Sequence, residues 1–242
     1  MKLDGATVLV TGGSRGLGRA LALALAEERA RIVLVARGQP GLASVCSEIR
    51  ELGGEPIAIV ADLADPTAAL RVAEEAQALA GHIDVVIHNA STLGPVPLRL
   101  VVDTSTDDFR SAFEVNVLSP FVLTRALAGP MVLRGRGLVV AISSDAATTP
   151  YEKWGAYGAS KAALDQLMAT LGRELCESGV RFFSVDPGEM DTVMHRDAVP
   201  GADPATLRSP GQVARAIVSL MEDEARAPTG ARVPVEIPGG SP

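Results

Sequence analysis

The sequence specifies an α/β protein, a doubly wound parallel β-sheet with helices on both faces. Three observations predict it. Short apolar runs alternate with helical patterns from one end of the chain to the other. Most of those runs are continuous rather than alternating, as strands buried on both faces require. No repeat, low-complexity block or linker breaks the rhythm, so residues 1–242 read as one domain.

Taken in order, the strands are expected at residues 7–10, 32–36, 57–61, 85–88, 138–143, 181–185 and 233–237. The first is followed by TGGSRGLGRALALALA, a glycine-rich turn that opens into an alanine- and leucine-rich helix. Leu42, Val45, Cys46, Ile49 and Leu52 recur at helical spacing until Gly53 and Gly54 stop the run. Leu70, Ala73, Ala76, Leu79 and Ala80 form the face of a third helix. Residues 109–131 are apolar enough to cover the sheet or face a partner, through Phe113, Val117, Phe121, Leu123 and Leu127. Another helix carries Tyr157 and Lys161. Ser209-Pro210-Gly211-Gln212 reads as a capping box with proline in the first helical position, opening a last helix that runs to Met221. The least regular stretch, residues 190–208, carries Pro200, Gly201 and Pro204 and is too long for an ordinary connection. It is expected to be a lid over a small-molecule pocket.

Composition narrows the function. Of 242 residues, 47% are hydrophobic and 21% charged, a globular balance with material for a sizeable core. Lys and Arg are scattered and the net charge is −7, which argues against nucleic-acid binding. Two cysteines, Cys46 and Cys176, make no disulfide framework, and three histidines make a metal site unexpected. With neither a secretory pattern at MKLDGATVLV nor an uncharged apolar stretch of membrane length, a reducing, cytoplasmic setting is expected.

The glycine-rich turn carries the first chemical signal. Gly12, Ser14, Arg15, Gly16, Leu17 and Gly18 lie where a strand gives way to a helix. Glycine there lets a pyrophosphate approach the backbone, and the helix N-terminus supplies partial positive charge. This predicts a Rossmann-like dinucleotide site. The second strand ends Leu34-Val35-Ala36-Arg37, with no acid to receive an adenosine 2′-hydroxyl. Arg37 and Arg15 can instead pair with a 2′-phosphate, which favours NADP(H) while leaving NAD(H) possible.

The second signal is WGAYGASKAALDQL. Tyr157 and Lys161 are four residues apart on a helix, hence on one face, with Ser144 thirteen positions upstream. The set supplies an acid, a cation to tune it and a hydroxyl to hold a carbonyl oxygen. Bringing a phenol from its usual ~10 to neutrality needs about 4 kcal/mol, and Lys161 is expected to contribute to it.

With these residues in place, nearly the whole chain resembles the short-chain dehydrogenase/reductase family. The likeness rests on T-G-x-x-x-G-x-G at residues 11–18, Asp62 after the third strand, His88-Asn89-Ala90-Ser91, Asn116 in E-V-N-V, Ser144, Tyr157 with Lys161, and Asp186-Pro187-Gly188 with Thr192. It departs from the family's N-N-A-G at His88 and at Ser91, where glycine is usual. The resemblance implies that Asp62 and Leu63 meet adenine, that Asn89 and Ala90 lie along the cofactor, and that Pro187, Gly188 and Thr192 hold the nicotinamide. It implies that Asn116 holds a water linked to Lys161, and that the chain forms a homodimer or homotetramer.

The reading is therefore an NADP-dependent oxidoreductase acting on a small or medium, mainly apolar carbonyl or secondary alcohol. Leu93, Ala146, Trp154, Met190 and Met194, with Thr92, Ala147 and His195, are the expected pocket walls, and no arginine cluster is there to clamp an anion. Net alcohol oxidation and a non-catalytic NADP(H)-sensing protein are the competing readings.

Overall fold

Period-two alternation sends successive strand residues to opposite faces of a sheet. Val8 and Val10 pack into one core, while Leu9 between them packs into the other. The computed structural model describes residues 1–237; residues 238–242, part of the single-domain expectation, lie outside the described residues.

The chain order is β1 (Thr7–Thr11), α1 (Gly16–Glu27), β2 (Arg31–Ala36), α2 (Gln39–Glu51), β3 (Ile57–Val60), α3 (Ala68–Ala80) and β4 (Val85–His88). There follow α4 (Thr106–Phe113), α5 (Ser119–Leu133), β5 (Gly137–Ile142), α6 (Gly155–Glu174), β6 (Val180–Asp186), α7 (Val193–Ala198), α8 (Pro210–Glu222) and β7 (Arg232–Pro234). Among the described residues the seven strands are all parallel, in the order β3-β2-β1-β4-β5-β6-β7. The direction of winding reverses between β1 and β4, so their carboxyl ends open a crevice where such sheets bind ligands. Leu21 and Leu25 of α1, Val45 of α2 and Ile217 of α8 fill one core. Val72 of α3, Leu127 of α5 and Met168 of α6 fill the other.

Several expectations change at the level of elements. β3 is an edge strand, and Val60 is 55% exposed rather than buried on both faces. β7 ends at Pro234, short of the expected 237, although Val235 N–H still donates to Asp186 O at 2.8 Å. The apolar face of α3 is turned: Ala69, Val72, Ala73, Ala76 and Ala80 are buried, whereas Leu70 and Leu79 point outward. A small-residue stripe lets the helix lie close to the sheet, which the two leucines would prevent. Pro210 takes its expected place at the start of α8, but Ser209 forms no side-chain cap. Leu52 falls at the C-cap of α2 and is half exposed.

α4 and α5 are joined by a π-helical turn, Glu114–Leu118, into one helical run. That run, Thr106–Leu133, is long and apolar enough to cross a membrane by length and composition. Its Leu123, Leu127 and Met131, however, are buried against the sheet. The 190–208 stretch is more ordered than its composition predicts. It contains α7 and a 3-10 turn at Pro204–Thr206, and its two ends are tied by Asp191 N–H to Arg208 O and Arg208 N–H to Glu189 O, both at 3.0 Å.

Candidate active site

The crevice is a cavity of about 690 Å³ along the carboxyl ends of the strands. Gly12, Ser14, Arg15, Gly16, Leu17 and Gly18 form one stretch of its wall, and Arg37, Asp62 and Leu63 close one end. Asn89 and Ala90 line the middle, and Pro187, Gly188 and Thr192 bring it toward Tyr157. Every residue expected to hold a cofactor is therefore on one surface.

The glycine loop is fixed from below. Thr11 Oγ1 donates to Ile87 O (3.2 Å) and accepts the N–H groups of Asn89 and Ala90, both at 3.0 Å. Asn89 Nδ2 donates to Thr11 O at 2.8 Å and to Gly12 O at 3.3 Å. Asn89 thus spends its amide on positioning the loop. The loop passes so close to β4 that a Cβ on Gly12 would lie 2.9 Å from Ala90 Cα, and one on Gly18 would strike the Gly12 carbonyl. Arg15 is the N-cap of α1 in extended conformation, and no side chain caps the first-turn amides. Those free N–H groups and the two exposed arginines suit a dinucleotide carrying a 2′-phosphate, so the residues present fit the cofactor the sequence implies.

The opposite end is built on α6. Its first turns put Tyr157 and Lys161 on one face, 7% and 1% exposed. Lys161 Nζ donates to the last carbonyl of β5, Ile142 O, at 2.7 Å and lies 5.6 Å from the Tyr157 ring centre. Burial draws the ammonium down to about 8, with the Asp165 charge opposing it. Burial pushes the Tyr157 phenol up to about 12, against hydrogen bonding from Ser144, while the Asp145 and Asp186 charges raise it further and a hydrogen bond from Ser91 draws it down. Desolvation dominates the shift of the phenol, and the lysine is anchored on a carbonyl rather than on the phenol oxygen.

Ser144 follows β5. Its hydroxyl donates to Asp145 Oδ1 at 2.9 Å and accepts from Ala146 N–H at 3.2 Å. Ser143, expected to face the opposite side, also borders the cavity, but its hydroxyl is taken up by Asp165 Oδ2 at 2.7 Å. Asn116 is buried behind the cavity wall in the π-helical turn. Its Oδ1 accepts from Ser91 Oγ (3.1 Å) and Thr92 N–H (2.9 Å), and its Nδ2 donates to Thr92 O (2.9 Å) and Ser160 Oγ (2.8 Å). All four side-chain positions are filled by protein. The amide therefore ties the Ser91 loop to α6 and has none left for a water.

Of the expected substrate walls, Leu93, Trp154, Met190 and Met194 line the cavity, as do Thr92 and His195. Ala146 does not; it is buried against Tyr157 and backs it. Trp154 packs edge-on against Tyr157 at 5.6 Å and Tyr151 at 6.3 Å, so it both walls the site and props the tyrosine. His195 sits in the first turn of α7, capped by Thr192 Oγ1, with Nε2 3.5 Å from Glu189 Oε1.

Two features had no signal in the sequence. Val96, Ser111 and Val115 reach the cavity from irregular chain and from the α4–α5 run. Arg232 braces the site from behind. Its Nη2 donates to Ser144 O and Asp186 Oδ2, both at 2.8 Å, and its Nε to Asp165 Oδ2 at 3.0 Å. One guanidinium thereby ties the ends of β5 and β6 to α6.

A parallel sheet with a dinucleotide cradle at its switch point and a Ser–Tyr–Lys cluster beside it defines a nicotinamide-dependent oxidoreductase class. The family profile described as short chain dehydrogenase matches residues 6–203. A short chain dehydrogenase of Pseudocercospora fijiensis is 35% identical over 79% of this chain and 62% of its own, so this chain spans less than two thirds of that relative. The ketoacyl reductase HetN of a Nostoc species is 36% identical over 92% of this chain and 77% of its own. A short chain dehydrogenase of Shigella flexneri, solved with NADP, superposes with a TM-score of 0.88 at 30% identity, covering 97% of this chain and 98% of its own. The protein belongs to the short chain dehydrogenase family and is an oxidoreductase.

Proposed function

We propose that this protein, acting as one domain in a reducing cytoplasm, is an NADP(H)-dependent reductase of small or medium, mainly apolar carbonyl compounds. One observation carries the reading: the buried Tyr157 phenol, flanked by Ser144 and Lys161, faces the same cavity whose far end presents Arg15 and Arg37. Arg15 and Arg37 would hold the 2′-phosphate, the Gly12–Gly18 amides the pyrophosphate, and Pro187, Gly188, Thr192 and Lys161 the nicotinamide ribose end. When bound, the reduced nicotinamide supplies hydride to the carbonyl carbon.

The chain supplies the proton. A phenol held up at about 12 is fully protonated at neutral pH, which is the form reduction consumes. As its O–H bond breaks, the new O–H bond forms on the substrate oxygen. Ser144, turning from Asp145, donates to that oxygen and stabilises the charge growing there. Lys161, charged below about 8, stabilises the phenolate left behind. Alcohol oxidation would run the same proton transfer in reverse, starting from the phenolate.

The cofactor assignment is tested by fluorescence titration with NADPH and NADH. NADPH should bind at least about tenfold more tightly, and Arg37→Ala should remove most of that difference, since a guanidinium–phosphate pair is worth about 1.5–3 kcal/mol. Tighter binding of NADH would defeat the assignment. A screen of carbonyl compounds with NADPH then separates a reductase from a sensing protein, which would turn none over. We also propose a homodimer or homotetramer through the outer face of the Thr106–Leu133 run, where Leu118, Phe121 and Leu133 are exposed while Leu123 and Leu127 cover the sheet. Light scattering giving a single-chain mass would rule this out.

A further inference from the structure

Ser144 has one hydrogen to donate, and in this structure it goes to the neighbouring residue. Its hydroxyl donates to Asp145 Oδ1 at 2.9 Å. Other donors hold the carboxylate in place: Ala146 N–H reaches the same oxygen at 2.8 Å, and the Tyr151 hydroxyl reaches Oδ2 at 2.7 Å. Ser144 Oγ in turn accepts Ala146 N–H at 3.2 Å, so its hydrogen can change acceptor while the oxygen stays where it is. Ser144 and Asp145 both line the cavity beside Tyr157. A hydrogen bond to a carboxylate is charge-assisted and stronger than one to a neutral carbonyl oxygen. A plain ketone therefore draws the Ser144 hydrogen away from a better acceptor and leaves Asp145 Oδ1 one donor short.

We infer that the substrate carries a hydroxyl on the carbon next to its carbonyl, and that Asp145 is the residue that selects it. The carbonyl oxygen takes the Ser144 hydrogen while the substrate hydroxyl donates to Asp145 Oδ1, so the carboxylate exchanges one donor for another. The spacing suits this exchange. Ser144 Oγ and Asp145 Oδ1 are one hydrogen-bond length apart, and so are the two oxygens of a hydroxy ketone when both C–O bonds lie on one side. The four oxygens then close a ring in which each hydrogen has an acceptor. Leu93, Trp154 and Met194 receive the rest of the substrate, which is apolar. This rests on the reductase reading, with Ser144 serving the carbonyl oxygen. The carbonyl carbon gains hydride as the reduced nicotinamide is oxidised, the oxygen gains the Tyr157 proton, and the product is a vicinal diol. The substrate hydroxyl keeps its hydrogen throughout.

The test compares acetoin with its methyl ether and with butanone, each offered to the protein with NADPH. The ether keeps the electron-withdrawing oxygen but has a methyl group for the hydrogen, so it separates donation to Asp145 from the reactivity of the ketone. In the parent, kcat/KM for acetoin should exceed that for either control by at least about tenfold. In Asp145→Ala the ratio of acetoin to ether should fall to within about threefold. Asp145→Asn, which opens no room for the methyl group and keeps only an uncharged acceptor, should fall between the two. A ratio taken within one preparation is not moved by loss of folded protein. Equal values for acetoin and its ether in the parent, or a preference kept at the parent's level in both variants, overturns the inference. Turnover of butanone without turnover of acetoin removes the inference alone and leaves the reductase reading standing. If no carbonyl compound is turned over although NADPH binds, the reductase reading has failed and the inference falls with it.

Discussion

Tyr157 stands under opposed demands. In the proposed reaction burial keeps the proton on it until a carbonyl arrives, and the phenolate formed by transfer would then need partners in the same dry place. Ser144 and Lys161 would be those partners, and a lysine drawn down to about 8 is still charged at neutral pH. The trio Ser144, Tyr157 and Lys161 was legible because helix spacing and one strand end fix it locally. Arg232 was not, since its partners Ser144, Asp165 and Asp186 are between 46 and 88 residues away and only the fold brings them together. His88, the other departure from the family pattern, is a buried base whose Nε2 lies 2.7 Å from Thr124 Oγ1. Burial, and then the Lys161 ammonium, lower it from 6.5 to about 3. Between those values the unfolded chain binds the extra proton, so this group makes stability fall as pH drops from about 6.5 to about 3, by at most about 1.4 kcal/mol per unit. Denaturant unfolding of His88→Asn should lose less stability than the parent over that window. Parallel losses would mean that His88 is not held neutral.

Among the elements, the glycine loop and α1 are joined at backbone distance, and the sequence disclosed this because glycine is the one residue whose lack of a side chain can be read directly. Gly18→Ala would press its Cβ on the Gly12 carbonyl and on Asn89, which is itself fastened to β1. We expect a loss of about 1–3 kcal/mol in stability and at least about tenfold in NADPH affinity. Gly211→Ala in α8, where beyond its chain neighbours and own helix backbone the added carbon meets only Ser209 Oγ at 3.7 Å, should instead stabilise by up to about 1 kcal/mol. Thermal melts and cofactor titration of both variants check the contrast, and equal effects would refute it. The rotated face of α3 shows where pattern reading stops. Leucines mark a hydrophobic face more loudly than alanines, yet close packing on a sheet selects the alanine stripe.

At the scale of the molecule, the parallel sheet does two things for the site. Its winding reverses between β1 and β4, opening the crevice, and β5 and β6 deliver Ser144 and Asp186 to the same end. The doubly wound parallel sheet with helices on both faces followed from alternation and apolar runs. The order within residues 190–208 did not, because it comes from pairing between the two ends of the segment, Met190 with Arg208, rather than from local pattern. The result is a site with a cationic, exposed end and an apolar, buried end that meet at Tyr157. The central claim is that this tyrosine is the proton donor and is not needed to hold the cofactor. The direct measurement is Tyr157→Phe, assayed in parallel for NADPH affinity by fluorescence and for turnover of the best carbonyl substrate. The account predicts affinity within a few-fold of the parent and turnover lowered by at least about 100-fold. Wild-type-like turnover in that variant would contradict it.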